Sequence, residues 1–98
     1  MTQRGFEEAI YTIATHYGVE KQSMQTCEEC GELITAVSKA IRKHSTDSIW
    51  HIAEEIADIR IMTAQLMLLY GISDLEVTEV MQAKLERQLE RIKRENDQ

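Results

Sequence analysis

Ser48-Ile49-Trp50-His51-Ile52-Ala53-Glu54-Glu55-Ile56-Ala57-Asp58-Ile59-Arg60-Ile61-Met62-Thr63-Ala64-Gln65-Leu66-Met67-Leu68-Leu69-Tyr70 is the stretch whose reading decides the fold. It holds no Gly and no Pro, and its Ile, Leu and Met fall on every side of a helix. A helix that apolar belongs at the centre of a bundle or in a subunit interface. Glu55 and Asp58 are conspicuous there. They stand three residues apart, on one helix face. Charges on a packing face need compensation.

The same device occurs upstream. Glu28-Glu29-Cys30-Gly31-Glu32 lies in a helix predicted over 21–43, with Cys30, Leu33, Ile34, Val37 and Ile41 as its apolar stripe. Glu29 and Glu32 repeat the three-residue spacing. Two acidic helices of like pattern suggest a helical hairpin with facing carboxylates. A divalent metal between them would supply the missing compensation, and a metal that binds carboxylates also binds phosphates. No His follows a Glu by three residues, and His16, His44 and His51 fall outside both clusters. Hard oxygen ligands without His favour Mg²⁺ or Mn²⁺ over Zn²⁺ or Fe.

Around this hairpin the chain reads as further helix. Residues 3–17 carry a stripe of Phe6, Ile10, Ile13 and Tyr17, and Gly18 is placed to end that helix in a left-handed conformation. Lys39, Arg42, Lys43 and His44 suit the negative end of the second helix. Ser45-Thr46-Asp47-Ser48 reads as a polar loop and N-cap, and Gly71 as the end of the third helix. Ser73-Asp74-Leu75-Glu76 has capping-box spacing. It opens a fourth helix to about residue 94, with Val77, Met81, Leu85, Leu89 and Ile92 turned inward and a charged tail over 94–98 expected to fray. The expectation is one all-α domain over residues 1–98, a four-helix, bundle-like unit. A chain of 98 residues buries only a modest core, so oligomerisation is expected too.

Composition narrows the function. The net charge is −6, from 11 Lys and Arg against 17 Asp and Glu. Residues 1–83 carry six basic and thirteen acidic side chains, and residues 84–98 five and four. An acidic body argues against binding polymeric DNA or RNA through a broad basic face. It leaves open a small nucleotide bridged by a metal. No apolar run reaches membrane-spanning length, and the N-terminus lacks a signal-peptide apolar core. The expectation is a cytoplasmic protein with no membrane partner. Cys27 and Cys30 are then reduced thiols. Their helical context argues against a redox motif and favours small, semi-buried packing residues.

Glu-Glu-x-x-Glu at Glu28, Glu29 and Glu32, followed by Glu-x-x-Asp at Glu55 and Asp58, resembles the MazG-like, all-α nucleoside triphosphate pyrophosphohydrolases. The resemblance covers roughly residues 15–90. It takes in the lead-in Tyr17-Gly18-Val19 with a nearby Gln, and the Lys/Arg run of the last helix. It implies hydrolysis of an NTP or dNTP between the α and β phosphates, giving a monophosphate and pyrophosphate, as nucleotide-pool house-cleaning. Glu29, Glu32, Glu55 and Asp58 would ligate Mg²⁺, with Mn²⁺ as a possible substitute. Glu28 would orient or deprotonate the attacking water, or simply face solvent. The family commonly forms homodimers or homotetramers with composite sites.

Substrate contacts are candidates by chemistry. Lys39 and Arg42, with Lys43, could meet phosphates; so could Lys84 and Arg87, reaching the site of a partner subunit. Trp50 could stack on a base, and Gln22 or Gln25 could hydrogen-bond one. Each has a plainer alternative: a solvated helix end for the cations, an interface anchor for Trp50. The competing reading of the whole chain is a non-catalytic helical oligomerisation or interaction module with an acidic surface.

Overall fold

The computed structural model describes residues 1–97 and is all-helical. Three helices follow one another: α1 (Gln3–Arg42), α2 (Thr46–Tyr70) and α3 (Asp74–Asn96). Among the described residues there is no strand. α1 is two helices joined across a kink, and the break falls where the sequence placed it. Gly18 sits inside α1 at φ 87°, ψ 170°. The positive φ agrees with the sequence reading; the extended ψ does not. That combination is essentially confined to glycine, and it ends the first helical stretch and redirects the chain into the second.

Local chemistry explains the boundaries. The Thr2 hydroxyl accepts from Gly5 N at 3.0 Å and caps α1. Ser45 and Ser48 form a reciprocal capping box, with Ser48 N donating to the Ser45 hydroxyl at 3.1 Å and Ser45 N to the Ser48 hydroxyl at 2.9 Å. That box starts α2 at Thr46, two residues earlier than expected. At its end Gly71 is left-handed (φ 67°, ψ 36°), and Ile72 N donates back to Met67 O at 2.8 Å. This is a Schellman closure, which uses carbonyls the last helical turn leaves unpaired. The Ser73 hydroxyl accepts from Glu76 N at 3.1 Å and starts α3. That helix runs to Asn96, so most of the tail expected to fray is helical; Gln98 lies outside the described residues.

α1 and α2 pack against each other as an antiparallel pair joined by a short turn. Ile10, Ala14, Ala36 and Met62 are the buried apolar side chains, with Gln22, Thr26 and Gln65 buried among them. α3 does not join the pair. The chain bends by 118° between α2 and α3, and no residue of α3 is buried. The expected inward positions Met81, Leu85, Leu89 and Ile92 are instead more than half exposed, and Val77 is half-buried. The chain by itself is therefore not a closed four-helix bundle. A periodic stripe says that a face must be covered; it does not say by which chain.

Two global measures agree. The radius of gyration is 17.0 Å, where a compact domain of this length has about 12.6 Å. The accessible surface is 8034 Å² for 11.3 kDa, where a folded monomer of that mass exposes about 5,700 Å². No single helix among those described is long and apolar enough to cross a membrane.

Candidate metal centre

The antiparallel pairing turns the two acidic motifs toward each other. Glu29 and Glu32 project from α1, Glu55 and Asp58 from α2. One carboxylate oxygen from each lies within 4.8 Å of the others. Glu29, Glu55 and Asp58 are half-buried, and Glu32 is exposed. The three-residue spacings read from the sequence thus become one four-carboxylate cluster.

Its electrostatics are unfavourable as it stands. Partial burial raises the Glu55 carboxyl above its ordinary value, and the charges of Glu32, Asp58 and Glu29 raise it further, as does hydrogen bonding to Glu32. Burial likewise raises Asp58, followed by the charge of Glu29 and hydrogen bonding to it. These are the two mechanisms that destabilise an ionised acid: loss of water and like charge nearby. No Lys or Arg forms an ion pair with any of the four among the described residues.

Hydrogen bonding leaves the same gap. Gln25 Nε2 donates to Glu29 Oε1 at 2.9 Å. The other oxygen of Glu29, and Oε2 of Glu55, are buried without any partner. Buried orphan acceptors are rare, and an ion or an ordered water is their usual partner. A cation held between the helices would satisfy both atoms and relieve the mutual repulsion. The donor set is oxygen only, with no His or Cys in it, which suits a hard divalent ion such as Mg²⁺ or Mn²⁺.

The cluster opens onto a cleft of about 760 Å³ that runs toward the α1–α2 turn. Glu28, Glu32 and Glu55 line its acidic end, and Lys39, Arg42 and Lys43 its basic end. Glu28 and the three cations therefore share one cavity with Glu32 and Glu55, although Glu28 and Lys43 are about four helical turns apart in sequence, while Glu29 and Asp58 lie behind its wall. Gly31 lines it too, and a Cβ there would meet nothing within 4 Å.

Other candidates lie elsewhere. Gln22 is buried and donates from Nε2 to Gln65 Oε1 at 2.8 Å, so its amide is engaged inside the helix pair and does not line the cleft. Trp50 is 65% exposed and is not a wall of the cleft. Lys84 and Arg87 are on α3, outside it. Cys27 and Cys30 are free and exposed, where semi-buried packing was expected. Four polar cleft residues escaped the sequence reading, Thr35, Ser45, Ser48 and His51, and the last two lie on the acidic face of α2. Ser48 and His51 precede Glu55 by seven and four residues, so extending the acidic stripe one turn at a time would have found those two. His51 Nδ1 lies 3.7 Å from Glu54.

An all-α chain with a carboxylate cluster able to hold a metal ion is thus the class that fold and site define. No family model matches the chain, and neither does any curated protein or solved structure.

Proposed function

We propose that the protein is a Mg²⁺-dependent nucleoside triphosphate pyrophosphohydrolase of the MazG-like kind, cleaving an NTP or dNTP to the monophosphate and pyrophosphate. The observation that carries this reading is the pair of orphaned buried oxygens on Glu29 and Glu55 within a four-carboxylate cluster. The cleft's polarity adds the substrate class. A metal site at one end and Lys39, Arg42 and Lys43 at the other match a polyphosphate that needs a cation and hydrogen-bond donors along its length.

Glu29, Glu32, Glu55 and Asp58 would hold the ion. When bound, it supplies charge neutralisation for the phosphate oxygens and activation of water. The chain's own residues supply the rest. Lys39 and Arg42 bind and orient the phosphate tail. Glu28, exposed on the same cleft, takes the proton of the attacking water as its oxygen joins the α-phosphorus and the α–β anhydride bond breaks. No covalent nucleophile is needed.

The working unit is a homo-oligomer, dimer or tetramer. The surface in excess of a compact monomer is about 2,300 Å² per chain. That lies in the range an obligate homodimer buries from each partner. Exposed Ile49, Trp50 and Ile56 on α2, with Leu85 and Leu89 on α3, are the side chains to be covered. Lys84 and Arg87 then approach a partner's cleft rather than their own. The same exposed surface also favours the second reading, an interaction module without catalysis.

Pyrophosphate release from a panel of ribo- and deoxynucleoside triphosphates, with Mg²⁺ and with EDTA, separates the two. Metal-dependent release with a monophosphate product is the expected result. No release from any nucleotide leaves only the interaction module.

A further inference from the structure

The chain hides an amide pair where apolar packing would be expected. Gln65 is 1% exposed and is the only large side chain that is fully buried among the described residues. Its Oε1 accepts from Gln22 Nε2 at 2.8 Å, while its own Nε2 finds only the Met62 sulfur at 3.9 Å, a weak acceptor. A buried amide so poorly served is a local cost, and such costs persist where they specify something.

What it specifies is visible along the helices. Gln22 lies seven residues before Glu29 on α1, and Gln65 seven residues after Asp58 on α2. In an antiparallel pair these are equivalent steps, so the amide layer sits two turns along the same seam from the carboxylates. The apolar residues of α2 do not single out that register, and the three-residue turn at 43–45 constrains the pair only at its far end. They occur on every face, so sliding α2 by one turn exchanges Met62 for Leu66 or Ile59 and keeps apolar contact. Gln65 has no such replacement: a slip buries both amides unpaired. The other side-chain bond across the pair, Ser23 to Tyr70 at 2.7 Å, is exposed, and water can take its place.

We propose that Gln22 and Gln65 are positioning residues that lock the α1–α2 register and so hold Glu29 and Glu32 opposite Asp58 and Glu55. The metal-binding consequence rests on the proposed function; the register itself does not. A buried polar group that fixes helix register at some cost in stability is well attested in coiled coils.

The test replaces both amides by unbranched apolar isosteres in Gln22→Met/Gln65→Met, with Gln22→Leu/Gln65→Leu as a second variant. Register is read by electron–electron resonance between spin labels at Glu20→Cys and Asp47→Cys, both exposed, with Cys27→Ser and Cys30→Ser as background and unlabelled chain in excess. Affinity is read by calorimetric titration with Mn²⁺. The expected result is retained helicity, a distance distribution that gains a second population displaced by about 5 Å, one helical turn, and Mn²⁺ affinity reduced at least about tenfold. An unchanged distance distribution in a folded variant overturns the proposal. So does failure of both variants to fold, because the pair would then hold the fold itself. If the wild type binds no Mn²⁺ while the distances still shift, the register lock stands and the metal reading falls.

Discussion

The α1–α2 pair and α3 both carry apolar stripes, yet only the pair buries part of its own; on α1 the expected inward Ile34 (70% exposed), Ile41 (81% exposed) and Val37 remain uncovered as well. In the pair, Met62, Ala36, Ile10 and Ala14 are buried and the acidic motifs meet. On α3, Leu85 and Leu89 lie in the open. The difference is one of connection. Both connections are three residues long, so loop closure costs the same in each; the turn after α1 folds the chain back on itself, whereas the left-handed Gly71 sends α3 away at 118°. The carboxylate cluster is thus built by contacts within one chain. What remains exposed is the surface an assembly would use.

The largest effect that sharpens this contrast is expected in the cluster. Glu32→Gln or Asp58→Asn should cut pyrophosphate release by more than about a hundredfold, beyond what losing a supporting residue costs a metal site. Circular dichroism should show the helices intact, because the substitution removes repulsion. Normal turnover in either variant would dissolve the distinction between the two regions.

The next effect belongs to α3. Leu85→Glu with Leu89→Glu puts charges on the uncovered stripe and should shift sedimentation from oligomer to smaller species. Mn²⁺ binding should change little, since none of the four carboxylates is on α3. Unchanged sedimentation would mean that the stripe is covered by something other than a second copy.

A smaller effect is expected at the basic end of the cleft. Lys39→Ala and Arg42→Ala should each raise KM by about tenfold, the loss of one charge-assisted hydrogen bond at roughly 1.4 kcal/mol, with Mn²⁺ affinity preserved. A fall in metal affinity instead would tie these cations to the carboxylates rather than to substrate.

The smallest is a slope in stability. Burial and neighbouring acids raise Glu55 and Asp58 in the folded, metal-free protein. Between the ordinary carboxylate range and those raised values, the folded state binds more protons than the unfolded one. Stability in EDTA should therefore fall as pH rises through that window. Mg²⁺ should restore it near neutrality. Thermal melts of the wild type and of Glu55→Gln/Asp58→Asn check this, the variant showing a flatter profile.

Much of this was legible in the sequence. Gly71 and the three-residue acid spacings are local signals that produced the predicted cap and face, and Ser73 caps α3 as expected but without the reciprocal Glu76 bond of a full capping box. The gaps have physical reasons. Serine at Ser48 completes a box with Ser45 in place of the usual Glu or Gln, so α2 begins earlier than its apolar pattern suggested. The stripe of α3 predicted burial, but periodicity carries no information about which chain provides it. Gln22 looked like a base-binding amide because a lone Gln on a helix shows no partner. The partner, Gln65, is 43 residues away and becomes visible only once the register is known.

The most direct test of the central claim is calorimetric titration of the metal-free protein with Mn²⁺, repeated with Glu29→Gln. The account predicts saturable binding by the wild type, weakened at least about tenfold by the loss of one carboxylate. Absence of binding, or binding indifferent to Glu29, would contradict it and return the four carboxylates to an acidic surface.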